Sequence, residues 1–169
     1  AVAVVQVILS NAQSRSNHVQ RIVKVVADGN LKGIDIAYLD LTVQDRNSYS
    51  LFISELAASL HSQNKRLTIT LPTPLKVGNR VDEAGYDYAE LGKAVDLVKL
   101  APYRDQDTDR LAMPTILEYL SGLIPSAKLV LTVSPYATEK GTTGLSTMRL
   151  TDAMSLATKL AIRGESVQT

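Results

Sequence analysis

The segment KGIDIAYLDL (residues 32–41) decides the fold that the sequence predicts. It is short and nearly all apolar, and it follows the turn-forming residues Asp-Gly-Asn at positions 28–30. A short apolar run bounded by turn residues is typical of a strand buried on both faces, as in the middle of a parallel sheet. Because side chains alternate along a strand, the segment would direct Asp35, Ala37 and Leu39 to one face.

Comparable strands recur along the chain at a regular interval. They are predicted at residues 2–9, 34–41, 66–71, 95–100 and 128–133, with helices at 17–28, 49–62, 88–94, 111–124 and 151–162. The strand centres lie 29 to 33 residues apart, the interval of a (β/α)8 barrel of about 250 residues. A doubly wound sheet can have similar spacing, but its glycine-rich turn is absent, since residues 10–13 read Ser-Asn-Ala-Gln. The sequence therefore predicts an α/β fold of about five βα units with parallel strands, a partial TIM (β/α)8 barrel formed by residues 1–169 as a single domain.

Composition excludes several classes of function. The net charge is +1 and the basic residues form no cluster, so we expect no nucleic-acid partner. No apolar run approaches the ~20 residues that cross a bilayer, so we expect no membrane insertion. The chain has no cysteine, and His18 and His61 have no companion at ligand spacing, so we expect no disulfide, metal site or cofactor. No signal peptide is visible and the chain starts with Ala, so we expect a piece of a longer protein.

The segment that opens this section resembles the fourth barrel strand of glycoside hydrolase family 18, the chitinase family. The family hallmark is Asp-x-x-Asp-x-Asp-x-Glu, and residues 33–36 together with the aromatic Tyr38 follow it. However, Lys32, Ala37 and Leu39 stand where the first Asp, the third Asp and the proton-donating Glu are expected. The resemblance therefore implies a chitinase-like frame with no catalytic residue.

The resemblance extends over nearly the whole chain. Residues 67–72 look like the fifth barrel strand, and residues 85–96 are similar to the segment that leads into the sixth. That sixth strand commonly ends in Met-x-Tyr-Asp, which here reads Ala-Pro-Tyr-Arg at positions 101–104. Residues 128–136 resemble the seventh strand, whereas the Ser-x-Gly-Gly pattern of the third is lost at residues 10–13. The chain would comprise the third to seventh barrel strands, nearest the bacterial cell-wall and spore-associated branch of the family.

Four residues would form a vestigial cleft for a ligand. By the resemblance and by position these are Asp35, Tyr38, Tyr103 and Tyr136. Each also has a structural interpretation: Asp35 could be a buried acid bonded to the backbone or to a basic residue such as Arg104, and the tyrosines could lie in the core or at the rim.

The lost acid could have a substitute elsewhere. Asp40 is adjacent to Leu39 but has the opposite parity along the strand, so it should face the surrounding helices unless the strand end bulges. Asp105 and Glu139 are predicted on loops that follow strands, at the face where barrel enzymes keep their sites.

Three functions are compatible with this pattern. The first is a non-catalytic chitinase-like domain with a structural, adhesion or assembly role in a larger extracellular or envelope protein. The second is a carbohydrate-binding pseudo-glycosidase, with a polysaccharide or peptidoglycan partner, although a chain without Trp is poorly equipped for a long sugar groove. The third is an active hydrolase with a relocated carboxylate. A protein partner or self-association through open sheet edges is a further expectation.

Overall fold

The computed structural model describes residues 2–102, 106–133, 136–141 and 144–159. The helices are α1 (Val2–Ser10), α2 (Ala12–Asp28), α3 (Arg46–His61), α4 (Tyr88–Ala94), α5 (Gln106–Ser121) and α6 (Leu150–Lys159). The strands are β1 (Gly33–Ile36), β2 (Arg66–Pro72), β3 (Leu75–Val77), β4 (Arg80–Asp82), β5 (Leu97–Ala101), β6 (Leu129–Leu131), β7 (Tyr136–Gly141) and β8 (Gly144–Arg149). Two short 3₁₀ helices cover Val43–Asp45 and Ser126–Lys128.

Four strands form one parallel sheet in the order β1-β2-β5-β6. Two separate antiparallel hairpins, β3–β4 and β7–β8, lie outside it. Helices connect the parallel strands, as the spacing predicts, so the α/β class with a parallel sheet is confirmed. β1 is shorter than predicted: regular pairing ends at Ile36, and residues 37–42 continue without regular structure.

The predicted strand at residues 2–9 is wrong. This segment is helix α1, so the parallel sheet of the described residues has four strands and not five. An apolar run without alternation does not distinguish a strand from a buried helix, and here tertiary contacts decide. Leu9 is fully buried, its carbonyl accepts a hydrogen bond from Arg15 Nη1 at 3.0 Å, and Gln6 Nε2 donates to Asp45 Oδ2 at 2.8 Å.

The core lies between one face of the sheet and the helices. Alternate strand residues are buried on this face, namely Ile36, Leu67, Ile69, Leu71, Val98 and Leu100. The largest side chains that cover them come from α3 and from the segment around the start of α4: Tyr49, Phe52, Leu56, Tyr86 and Tyr88. The opposite face carries residues of the other parity and remains partly exposed.

Gly33 allows the two strands at the edge of the sheet to approach each other. A Cβ atom at this position would lie 2.2 Å from the carbonyl oxygen of Arg66, the residue with which Gly33 is paired. No side chain fits such a contact, so glycine is required where β1 begins.

Two predicted loops contain hairpins instead. The segment 75–87 contains β3 and β4, which are joined by a turn at Gly78 (φ +60°), and β7 pairs with β8. The predicted loop at 104–109 overlaps the start of α5 at Gln106, and Pro114 therefore lies inside this helix and not in its first turn. Short strands that pair only with each other lack the apolar alternation that marks a strand in a core.

Candidate functional site

A cavity of about 350 Å³ opens at the carboxyl ends of the parallel strands. Barrel enzymes keep their sites at this end. Its walls come from the segment after β1, from the ends of β2 and β5, and from hairpin β3–β4. The segment after β1 contributes Leu39, and the end of β2 contributes Pro72. The end of β5 contributes Ala101, and the hairpin contributes Leu75.

Leu39 lines this cavity, at the position where the resemblance expects the proton-donating Glu. Its side chain is 41% exposed, and Ala37 is also exposed. A leucine and a methyl group have no proton to transfer and no charge to stabilise a cationic centre.

Asp35 lies on the partly exposed face of the sheet and is held by three partners. Its carboxylate accepts hydrogen bonds from Thr68 Oγ1 at 2.6 Å and from Thr70 Oγ1 at 2.7 Å, and Lys99 Nζ lies 3.2 Å from Oδ1. Partial burial raises the pKa of Asp35, but the hydrogen bonds and the Lys99 charge outweigh burial and hold this pKa below its ordinary value. The basic partner is therefore Lys99, whereas Arg104 lies outside the described residues.

Tyr38 is not brought together with Asp35. Its hydroxyl lies 2.7 Å from His18 Nε2, and its ring stacks on Phe52 at a centroid distance of 5.9 Å. Burial raises the pKa of its hydroxyl. Tyr38 is two residues after the buried Ile36, and side chains two residues apart lie on the same side of an extended chain. The Tyr38 side chain therefore faces the helices, on the side opposite to Asp35.

The other predicted candidates have different positions. Tyr103 and Asp105 lie outside the described residues. Tyr136 begins β7 and Glu139 belongs to the same strand, so Glu139 is not on a loop. Asp40 is exposed, as a bulged strand end would allow, and does not line the cavity.

Two tyrosines of the cavity were not among the predicted site residues. The hydroxyl of Tyr86 donates to the carbonyl of Tyr38 at 2.7 Å and accepts the N–H of Leu41 at 3.1 Å, and burial raises its pKa to about 12. Tyr88 donates its hydroxyl proton to the carbonyl of Pro72. Both tyrosines belong to the segment 85–96 that carries the resemblance. Tyr86 precedes α4 and Tyr88 begins it, so the direction of their side chains cannot be inferred from strand alternation.

Two carboxylates of the cavity were also missed. Glu83 forms an ion pair with Arg46 and accepts the hydroxyl of Tyr119 at 2.9 Å. Asp82 is exposed, and its Oδ1 accepts the N–H of Ala84 at 2.9 Å. These acids lie on or next to β4, within a segment that the sequence predicts as a loop.

Neither a metal-binding cluster nor a membrane-spanning helix occurs among the described residues. No cluster of three or more His, Asp or Glu side chains has the geometry to hold a metal ion in the described ranges. In the same part of the chain, no helix combines the length and the apolar character needed to span a membrane.

The sequence and the fold are both similar to those of known proteins. The family description "Glycosyl hydrolases family 18" matches residues 6–160. A protein of Bacillus subtilis (strain 168) named as a glycosylase, YdhD, is 24% identical over 142 residues, which cover 79% of this chain and 33% of that protein. Its solved structure superimposes with a TM-score of 0.80 at 21% identity and covers 94% of this chain and 57% of the solved one.

Two further solved structures have the same fold. The chitinase from Chromobacterium violaceum has a TM-score of 0.78 at 22% identity, with 94% of this chain and 53% of that chain covered. The spore cortex-lytic enzyme SleL of Bacillus megaterium has a TM-score of 0.78 at 19% identity, with 96% and 40% covered. The fold is thus part of a TIM barrel, and the chain spans about a third of the curated YdhD and about half of the solved chitinase.

Proposed function

Because the chain belongs to glycosyl hydrolase family 18, we propose that residues 1–169 form one non-catalytic domain of this family. Its role is structural, in adhesion or assembly, within a larger extracellular or envelope protein. The observation that carries this proposal is the Leu39 side chain in the cavity wall, at the position expected for the proton donor.

Two other carboxylates of the described residues, Asp35 and Glu83, are already engaged by neighbouring groups. Glycoside hydrolysis needs a carboxylic acid that protonates the leaving oxygen and a second anionic group. Asp35 is held by Lys99 and two threonines, and Glu83 is held by Arg46 and Tyr119. Positioned acid catalysis contributes roughly 10²–10⁴-fold, so a chain without a positioned acid would lose a rate factor of this size.

The setting of the domain is part of the proposal. The similarity to a protein titled a spore cortex-lytic enzyme supports an envelope location. The edge strands β1 and β6 each have one neighbour in the described part of the sheet, and free edges of this kind pair with other strands. A protein partner or a second copy of the chain is therefore the expected partner in assembly.

A second function, carbohydrate binding without turnover, is favoured by one observation. The cavity persists at the end of the sheet where barrel sites lie, with a volume inside the ~300–1,000 Å³ of ordinary ligand pockets. A polysaccharide or peptidoglycan fragment would be its ligand, and Tyr103→Ala would weaken binding.

The test measures turnover and association in parallel. We expect no cleavage of chitin or peptidoglycan oligosaccharides by the purified chain, and concentration-dependent association in analytical ultracentrifugation. Cleavage that is abolished by Asp40→Ala, Asp82→Ala, Asp105→Ala or Glu139→Ala would contradict the proposal and identify the relocated acid. Saturable oligosaccharide binding without cleavage would favour the second function.

A further inference from the structure

The walls of the cavity at the strand ends are mainly apolar. Among its described lining residues, eight carry no polar side-chain atom, and Leu39, Leu41, Leu75 and Pro102 are examples. The polar side chains of the lining are Thr73, Asp82, Glu83, Tyr86 and Tyr88. The chemistry of these five side chains decides which ligand the cavity accepts.

Each hydroxyl of the lining already donates its proton inside the protein. Thr73 Oγ1 donates to the carbonyl of Ala101 at 2.6 Å, Tyr86 to that of Tyr38 at 2.7 Å, and Tyr88 to that of Pro72. Asp82 and Glu83, when ionised, have acceptors only. The described side chains of the lining therefore present oxygen acceptors and no uncommitted donor.

This set of groups suits an amine better than a sugar, because a sugar also brings oxygen acceptors for which the described lining side chains have no donor. A sugar brings many oxygen acceptors as well as donors, and a buried acceptor without a donor costs free energy. An ammonium group has three donors and no acceptor, so it matches the acceptors that the described lining side chains offer.

The charges at the cavity also favour an ammonium group as the ligand. Glu83 is paired with Arg46, whereas Asp82 forms no ion pair with any cation in the described ranges. Asp82 is paired across hairpin β3–β4 with Leu75, which also lines the cavity. Within the described part of the chain, a carboxylate without an ion-pair partner thus lies beside an apolar wall.

We propose that this cavity binds a small apolar cation, an aromatic or branched aliphatic group that carries an amine. The apolar body contacts Leu39, Leu75 and the rings of Tyr86 and Tyr88, and the amine faces Asp82. This ligand class goes beyond the proposed non-catalytic role. Its test measures binding and not turnover, so the two proposals fail independently.

Tryptamine is a suitable probe because the chain has no Trp, and the emission of the indole therefore reports only the ligand. We expect a saturable blue shift of tryptamine emission on titration with the wild-type chain. The isosteric anion indole-3-propionate should bind more weakly, by up to about fivefold, the range for one exposed charge. This preference should disappear in Asp82→Asn and persist in Asp28→Asn, an exposed acid elsewhere on the chain.

Two wall variants test the location of the site. Leu39→Asn should weaken tryptamine binding several-fold, whereas Leu51→Asn should not, since Leu51 has a similar exposure (52% against 41%) but lies outside this cavity. Ala101→Phe should abolish binding by filling the cavity. Circular dichroism checks that each variant is folded.

Three results would overturn the inference. The first is a tryptamine emission that shows no saturation up to millimolar protein. The second is equal affinity of the wild-type chain for tryptamine and indole-3-propionate, or unchanged binding in Ala101→Phe. The third is displacement of tryptamine by N-acetylglucosamine oligomers, which would assign the cavity to a sugar.

Discussion

Lys99 Nζ lies 3.2 Å from Asp35 Oδ1, and the two side chains meet across β2, the strand between β1 and β5. Each side chain is about one third exposed. The pair therefore occupies the sheet face that is not covered by helices, and it neutralises the one carboxylate that survives from the family hallmark.

Removal of the Lys99 charge should make the chain less stable in a pH-dependent way. We expect Lys99→Met to lower the free energy of unfolding at pH 7 by no more than about 1 kcal/mol, because the pair is partly exposed. The pKa of Asp35 is depressed in the folded state, so its contribution to stability is present above the ordinary pKa of 3.8 and is lost as pH falls through the depressed value. Urea denaturation at pH 7 and at the acid limit should thus show a difference between wild type and variant that disappears in acid.

Lys24→Met provides the control for Lys99→Met. Its pair with Asp28 is 74% and 63% exposed, so the variant should be close to wild type at both pH values. An equal loss of unfolding free energy in Lys99→Met and Lys24→Met would mean that the Asp35–Lys99 pair stabilises the fold no more than an exposed pair does.

The hydroxyl of Tyr49 should be dispensable for stability. Tyr49 is fully buried and its hydroxyl has no hydrogen-bond partner among the described residues. A buried hydroxyl without a partner costs about 1–3 kcal/mol, so Tyr49→Phe should leave the free energy of unfolding unchanged or raise it by about 1 kcal/mol. Urea or thermal denaturation measures this change.

Tyr86→Phe is the matched variant for Tyr49→Phe. It removes a hydroxyl that donates to Tyr38 and accepts from Leu41, and we expect a loss of about 1–3 kcal/mol. If Tyr49→Phe were destabilised as much as Tyr86→Phe, the Tyr49 hydroxyl would have a partner in solution.

His18 should make the chain less stable at mildly acidic pH. Burial, and then the charge of Arg21, lower the pKa of His18 below its ordinary value of 6.5, and its ring stacks on Phe52 at 5.3 Å. A depressed pKa gives stability that is present above pH 6.5 and is lost as pH falls toward the folded-state pKa. We expect the free energy of unfolding to decrease from pH 7 to pH 5, and this slope to flatten in His18→Gln.

His61→Gln tests whether the slope belongs to His18. The chain has only these two histidines, and His61 contacts Asp96 at 3.0 Å on an exposed part of the surface. The His61 variant should retain the decrease between pH 7 and pH 5 that is due to His18. A flat slope in His61→Gln and a retained slope in His18→Gln would reverse the assignment.

The sequence predicted elements whose pattern is set by the core. Helix α4 has the predicted limits Tyr88–Ala94, and β2 differs from its prediction by one residue. Alternating burial marks a strand, and burial every three to four residues marks a helix face. The position of Leu39 in the cavity also follows from this pattern together with the resemblance.

Other features depend on contacts that a local pattern does not contain. The valine-rich residues 2–9 favour a strand, yet the burial of Leu9 and the bond from Arg15 accompany a helix. The acids Asp82 and Glu83 reach the cavity because the β3–β4 hairpin folds back beside the sheet, and no periodicity signals this arrangement. The hydroxyl of Tyr38 lies beside His18 and its ring stacks on Phe52, contacts that the local pattern of residues 32–41 does not contain.

The hydrogen bonds of Tyr86 to the backbone at positions 38 and 41 have a consequence for protein engineering. They fix the main chain on either side of residue 39, independently of which side chain that residue carries. The inactivity that we propose is thus encoded in replaceable side chains, while the backbone that an acid would need is retained. The double substitution Leu39→Glu and Ala37→Asp would thus place two carboxyl groups on this main chain without removing the hydrogen bonds of Tyr86.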